Sequence, residues 1–400
     1  MSDPVDQIID SAKDGKSILK DRSILHFTHI PNTIFHRDAE QKKVTQSLLP
    51  ILKHSKPSNL LVYGKPGTGK TLVVKKIISK IQERVDQSKF PTKLIYTNAK
   101  NESTTTGLLI SAGRQLGLDE KELPMTGLAT GEVFKRLLDR IDKNSLNMIF
   151  VIDEIDYLAQ LITKTHKDTM YQLTRANERL KHGSLALVGI SNDLKFKEIL
   201  DARVISSLSE EEVVFTNYNV DQLTKILNER VGEAFAPDSV EESALGLCAA
   251  MAAKVHGDAR RAIDLIRVAG EIAEREQADK VTAEHVRAAS QKIEENKEET
   301  ALKSYPLHEK LVVMAVMKAP GASTGEVYAA YKDLCKATAQ DPLSQRRVTQ
   351  MLNEVEVSGL VDGRIVHQGM HGRTKKYRLT IPTETVRRAF KDDLSLEDVI

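Results

Sequence analysis

A chain of 400 residues has room for two or three domains with separate cores, and an apolar share of 40% makes it globular rather than disordered. Its 58 basic and 56 acidic residues leave a formal charge of +2, which excludes a chain-wide polyanion-binding surface and makes any basic patch local; the 4% aromatic share, with no Trp, suits a helix-rich protein. Two cysteines, Cys248 in the apolar run "ALGLCAAMAA" and Cys335, offer neither a disulfide framework nor zinc-ligand spacing, "MSDPVDQIID" is not a signal peptide, and no run reaches the ~20 apolar residues of a membrane span, so a reducing, cytoplasmic, membrane-free setting is expected.

In chain order, residues 1 to about 25 are polar and read as a loose arm of mixed charge. Residues 41–53 space their apolar side chains helically. "SNLLVYG" (58–64) is a short buried strand running into a Gly-rich loop, and "TLVVKKIISKIQERV" then has helical period. Further strands are expected in 92–99, 147–158, 184–192 and 211–218. Strands alternating with helices predict a parallel sheet with helices on both faces, closing a first domain at about 218. Beyond it, Asn219 with Gln222 and Ser239 with Glu242 are spaced as capping boxes, and a third helix spans 258–276, so 219–295 reads as a small all-helical domain. "QKIEENKEET" (291–300) reads as a solvated charged linker.

The loop "YGKPGTGKT" (63–71) satisfies G-x-x-x-x-G-K-[ST] between a strand and a helix, the context the motif requires. The glycines Gly64, Gly67 and Gly69 let backbone N–H groups curl around phosphates without side-chain clashes, and Lys65, Pro66 and Thr68 complete the cofactor-binding loop. Lys70 brings positive charge to the β and γ phosphates, Thr71 offers a hydroxyl to Mg²⁺, and a helix starting near Thr68 and running through Leu72 points its positive end at the anion. Asp153 and Glu154 end a buried strand, where paired carboxylates are costly unless a cation is near. Asp153 is expected on the metal's water shell and Glu154 on the attacking water, with Asp156 as an alternative acid. Asn192 closes the fourth strand, where a neutral amide can position water or merely end the strand. Arg203 reads as a solvated arginine, while Arg260 at a helix start could reach across a domain cleft to a γ-phosphate.

Residues 296–400 form a further unit. Helices are expected at 307–318, at 323–337 with Ser323 and Glu326 as a capping box, and at 344–360; 360–378 then reads as two strands around a glycine-marked turn. Three helices and a β-hairpin make a winged helix. Gln345, Arg346 and Arg347 open the third helix, where a recognition helix meets bases or phosphates, and the wing carries Arg364, Arg373, Lys375, Lys376 and Arg378 against one acid, Asp362. The placement favours duplex DNA, although winged helices also dock proteins.

The stretches "HRDAEQKKV", "YGKPGTGKT", "FVIDEIDYL", "LDARVISSLSEEEVVFTNYNVDQLTKIL" and "GDARRAIDLIRVAGEIA" together resemble the AAA+ ATPases and, more narrowly, the archaeal origin-recognition initiators, relatives of the eukaryotic origin recognition complex and its helicase-loading partner. The resemblance covers most of the chain. It implies an α/β AAA+ module with a helical lid and a C-terminal winged helix. It makes Asn192 the first sensor, Arg260 the second and Arg203 a finger offered to a neighbouring subunit's nucleotide. It puts Tyr218 and Arg230 in contact with the nucleotide and residues 36–40 near the adenine. It places a short DNA-binding helix at 101–117, with Thr104 and Thr105 as its contacts or as ordinary helix-start residues. The function it implies is an ATP-dependent initiator that binds duplex origins, itself or a paralogue alongside, and recruits the replicative helicase, with slow, switch-like ATP hydrolysis to ADP. A clamp-loader-type remodelling ATPase and an ATP-bound transcription regulator are the alternatives.

Overall fold

The computed structural model describes residues 17–399 except 54, 89–90, 103, 166–168, 194, 209–210, 368–372 and 398. The chain divides into two compact units, Met1–Val286 and Arg287–Ile400. The expected division at 295 falls inside one helix, Ala283–Ser304.

The first unit is built on five strands: β1 (Leu60–Gly64), β2 (Thr92–Asn98), β3 (Asn147–Asp153), β4 (Ser184–Ser191) and β5 (Glu211–Phe215). They form one parallel sheet in the order β2-β3-β4-β1-β5. The apolar runs of β3 and β4 are buried because helices cover both faces, the condition a parallel sheet requires. In the base these are α1 (Asp38–Leu48), α2 (Lys70–Ser88), α3 (Ala99–Glu102), α4 (Thr105–Gln115), α5 (Thr130–Lys143), α6 (Ile155–Thr165), α7 (Thr169–Thr174) and α8 (Ala202–Leu208). Leu109, Phe134, Leu137 and Phe150 fill one side of the sheet; Val44, Val73, Val151 and Val213 fill the other.

Three helices follow, α9 (Val220–Ala234), α10 (Glu242–Lys254) and α11 (Ala259–Arg275). The Asn219–Gln222 capping box forms in full. The Ser239–Glu242 box does not: Ser239 Oγ donates to the Ala236 carbonyl, Val240 bridges Val281, and the helix starts two residues later than a Ser239 cap would allow, with Glu241 at its N-cap.

The expectation of a loose arm through residue 25 is corrected for its described part. Ile18 and Leu19 are buried, Leu19 bridges Phe235, and Ala236 N–H donates to the Ile18 carbonyl. Glu274 of α11 accepts from Ser17 Oγ, Leu19 N–H and Arg22, and a short turn of 3₁₀ helix, Arg22–Leu25, follows. Two apolar residues in a polar segment supply the burial, and one acid on a distant helix gathers the donors. Residues 1–16 of that arm lie outside the described residues.

Helix α12 (Ala283–Ser304) spans the expected linker, because its charges are i,i+3 and i,i+4 partners such as Glu299 with Lys303 and no breaker interrupts them. In the second unit α13 (Leu307–Lys318), β6 (Ala322–Ser323), α14 (Thr324–Ala337), α15 (Gln345–Val357), β7 (Val361–His367), β8 (Arg373–Leu379) and α16 (Thr383–Phe390) make a winged helix with sheet order β6-β8-β7. Val313, Tyr331, Leu352, Tyr377 and Phe390 pack its core. The Ser323–Glu326 capping box forms as expected. Both cysteines are free and buried, and burial pushes the Cys248 thiol up to about 12. Among the described residues no helix is long and apolar enough to cross a membrane.

Candidate nucleotide site and basic winged-helix face

The loop between β1 and α2 borders a cavity of about 390 Å³. Gly67, Gly69, Lys70, Thr71 and Leu72 line one wall; Asp153, Glu154 and Asn192 close its end; Tyr218, Arg230 and Arg260 face them. Segment 25–35 also lines it through residues such as Phe27, Ile30 and Phe35, whereas none of 36–40 does. The helix starts at Lys70, two residues after the expected position.

Lys70 is buried, and its Nζ donates to the Gly64 carbonyl at 2.7 Å and the Lys65 carbonyl at 2.8 Å. Burial lowers its ammonium to about 8; Asp153 opposes the shift and Arg260 adds to it. A desolvated cation facing a cavity is a site for an anion. Gly64 and Gly67 tolerate no Cβ, which would come within 2.3 Å of the Phe215 carbonyl and 1.7 Å of Asp258 Oδ1.

Asp153 is buried at the end of β3, and its two oxygens divide their partners. Oδ2 accepts from Thr71 Oγ1 at 2.9 Å and Tyr96 Oη at 2.7 Å, and Oδ1 accepts from Glu154 N–H at 2.9 Å. Burial, then the Asp153 charge, raises the Tyr96 phenol far above its ordinary value, so it stays a donor. Glu154 has φ of 53°, the left-handed region, which turns it out of the strand direction. One carboxylate with a neighbouring hydroxyl matches Mg²⁺, which prefers few protein ligands alongside phosphate oxygens and water. Among the described residues no cluster of three or more His, Cys, Asp and Glu suits a metal held by protein alone. The donors therefore fit a nucleoside triphosphate with Mg²⁺.

Asp156, the alternative acid, holds the neighbouring strand end. Its Oδ1 accepts from Ser191 Oγ at 2.9 Å and Asn192 N–H at 3.3 Å, which fixes the end of β4. Arg230 is buried and braces the cavity wall, donating to the carbonyls of Ile24 at 3.0 Å and His29 at 3.4 Å. Arg260 lies on the first turn of α11, whose N-cap Asp258 accepts from the N–H groups of Arg260 and Arg261. Arg203 stands apart from the cavity, exposed, with its guanidinium on both oxygens of Asp201 at 3.0 and 2.8 Å.

Of the two threonines at the start of α4, Thr105 is buried, so its side chain does not project outward; Thr104 is the exposed N-cap, and its Oγ1 accepts from Gly107 N–H. Thr104 thus serves as a helix-start residue and remains exposed on the surface.

In the winged helix Gln345, Arg346 and Arg347 are exposed on the first turn of α15. The hairpin register sorts the wing cations by face. Asp362 lies opposite Arg378 and Arg364 opposite Lys376, on one face of the pleat. Lys375 faces the other way and binds Glu356 and Asn353 of α15, so it ties the wing to the helix. Asp362 Oδ2 accepts from Arg364 Nε at 2.9 Å and Arg378 Nε at 3.2 Å. Arg373 pairs through its backbone with His367; its side chain and the turn at 368–372, Gly372 included, lie outside the described residues.

Three family models match in order: an AAA domain at 53–196, a Cdc6 AAA+ ATPase-type lid domain at 224–291, and the CDC6 C-terminal winged-helix domain at 300–389. The chain is 68% identical over 398 residues to the ORC1-type DNA replication protein of Cenarchaeum symbiosum, with 100% of this chain and 97% of the relative covered. The chain belongs to the ORC1-type DNA replication proteins. The Pyrococcus abyssi member is 40% identical over 403 residues, covering 99% of this chain and 95% of its own. The solved structure of Aeropyrum pernix ORC1 in complex with DNA superposes with a TM-score of 0.83 at 37% identity, covering 96% of this chain and 100% of that one. Pyrobaculum aerophilum Cdc6p, at 23% identity and a TM-score of 0.60, shares the fold.

In this ORC1-type chain, sequence reasoning placed Arg37 only within the 36–40 segment near the adenine, and missed its hydrogen-bonding role, Tyr96 and the anchoring role of Asp156. Tyr96 had a usable signal, a polar-tipped residue near the end of a buried strand beside the acids of β3. Arg37 had none beyond its place in "HRDAEQKKV", because its partners are distant in sequence.

Proposed function

We propose that this chain is an ATP-dependent replication initiator that binds duplex DNA at origins through its winged helix and takes part in recruiting the replicative helicase. The observation that carries the reading is the presence in one chain of two separate devices: a cavity gathering Lys70, Thr71, Asp153, Glu154 and Asn192, and a winged helix exposing Arg346 and Arg347 at a helix start. The names of the relatives support it: a DNA replication protein at 68% identity and an ORC1 complexed with DNA at 37%.

Lys65–Leu72 and Lys70 would hold the phosphates, Thr71 and Asp153 the Mg²⁺. MgATP, when bound, supplies the labile γ-phosphate and the metal's charge. Glu154 is the carboxylate free to take a proton from water at that end of the cavity, and Asn192, held by Asp156, orients that water. Tyr218, Arg230 and Arg260 bring the lid to bear on the same cavity. Arg203, turned away from its own cavity, is suited to a neighbouring copy, so turnover in the isolated chain is slow and switch-like. The charge pattern of α15 and the wing suits phosphate contact with duplex DNA, Arg346 and Arg347 lying where base edges are also within reach.

Chromatin immunoprecipitation of the chain in its own cells tests this. A few sharp sites at the points where replication starts are expected. Enrichment at promoters genome-wide would favour a transcription regulator, and no DNA enrichment would favour a remodelling ATPase.

A further inference from the structure

Arg37 is 2% exposed, unusual for a cation with one nearby acid. Its Nη1 donates to Glu40 Oε1 at 2.9 Å and its Nη2 to the Thr216 carbonyl at 2.6 Å. Its Nε is shared between the Thr68 carbonyl and Tyr218 Oη, both at 3.0 Å, and the guanidinium lies 3.9 Å from the centre of the Tyr218 ring. One side chain thus joins the start of α1, the phosphate loop, the chain leaving β5 and the tyrosine at the entrance to the lid.

The bond to Thr68 has a directional consequence. In a planar trans peptide the C=O and N–H point opposite ways. Drawing the Thr68 carbonyl toward Arg37 directs the Gly69 N–H away from it, and Gly69 lines the cavity. The preceding peptide is set in the same manner from the lid: Ala259 N–H donates to the Gly67 carbonyl at 3.2 Å, which turns the Thr68 N–H the other way. Two successive N–H groups of the loop are therefore oriented from outside it, one by α1 and one by α11.

We propose that Arg37 is a positioning residue for the nucleotide site, which aims the Gly69 N–H at the phosphates and ties that aim to Tyr218 at the entrance to the lid. The proposal rests on the nucleotide-site reading above. Lysine keeps the positive charge but cannot reach these four partners from a planar fork, so Arg37→Lys separates charge from positioning.

The test uses the full chain, ¹⁵N-labelled at glycine, as parent, Arg37→Lys and Arg37→Ala. MgADP affinity is measured with a fluorescent ADP analogue well below the unfolding temperature, and the Gly69 amide resonance is followed with and without MgADP. Arg37→Lys is expected to fold, to bind about 10- to 100-fold more weakly, and to move the Gly69 amide in the bound form. Millimolar guanidinium is expected to restore part of the affinity of Arg37→Ala. A folded Arg37→Lys that binds as the parent does, or one that binds weakly with an unmoved Gly69 amide, overturns the proposal; if Arg37→Ala does not fold, the lysine variant decides alone. A parent that fails to bind MgADP overturns the nucleotide-site reading and this proposal with it, whereas a parent that binds while Arg37→Lys is unaffected overturns only the proposal.

Discussion

The backbone N–H of Asn192 is held by Asp156 Oδ1 at 3.3 Å, and the same oxygen takes Ser191 Oγ at 2.9 Å. Asp156 sits on the first turn of α6, just after Asp153 at the end of β3 and Glu154 in the turn that follows, so one helix start fixes the neighbouring strand end relative to Asp153 and Glu154. Asp156→Ala is expected to weaken nucleotide binding less than turnover, because Asp156 hydrogen-bonds Ser191 and Asn192 and reaches Lys70 only through its charge. Turnover should fall by about 10- to 100-fold as Asn192 loses its register. Steady-state phosphate release at saturating ATP, beside a nucleotide titration, measures both; equal loss in the two would assign Asp156 to stability instead.

Lys70 and Glu154 should separate binding from turnover. Lys70→Ala removes the buried cation facing the cavity and should abolish ATP binding in an equilibrium titration. Glu154→Gln keeps the shape and loses the charge that polarises water, so it should bind ATP as the parent does and lose turnover by about 10²- to 10⁴-fold. A Glu154→Gln variant with the parent rate would remove Glu154 from the mechanism. Asp156, whose Oδ1 holds Ser191 and Asn192, or no side chain at all would then be the candidate.

Much of this was legible in sequence, for identifiable reasons. The strands were readable because a parallel sheet buried on both faces needs continuous apolar runs, as in β3 and β4. The phosphate loop was readable because its chemistry is local. Helix α5 was equally local, with Val133, Phe134, Leu137, Leu138 and Ile141 on one side, and went unused. What escaped depends on partners far apart: Ile18 meets Ala236, Leu19 meets Phe235 and Glu274, and Arg37 meets Thr216 and Tyr218. The charged run 291–300 misled because solvated charge marks a linker and an exposed helix alike, and only i,i+4 pairing separates them. The wing's charge count was legible, but the pairing of Arg364 and Arg378 with Asp362 needed the strand register.

That pairing carries its own consequence. Asp362 occupies two arginines that a phosphate backbone would otherwise engage, on an exposed hairpin where such pairs contribute little to stability. Asp362→Asn should therefore leave folding intact and tighten binding to any duplex. The slope of log affinity against log salt should steepen by about one unit for each arginine that gains a phosphate. Fluorescence anisotropy on random duplex at several salt concentrations is the measurement. Unchanged affinity and slope would place Arg364 and Arg378 away from the DNA.

Anisotropy on an origin fragment and on random duplex, across a salt series, also tests the central claim, that the winged helix holds duplex DNA. The variants are the double Arg346/Arg347→Ala and Arg373→Ala. Each should weaken binding to both duplexes, by about 1–3 kcal/mol where a base edge or groove is read and less where one phosphate is touched, with the salt slope falling by about one unit for each phosphate that the variant no longer neutralises. ATP binding should be unchanged, since these residues belong to the second compact unit. If both variants bind both duplexes with the parent's affinity and salt slope, the winged helix is a protein-docking module and the account of this chain as a DNA-bound initiator is contradicted.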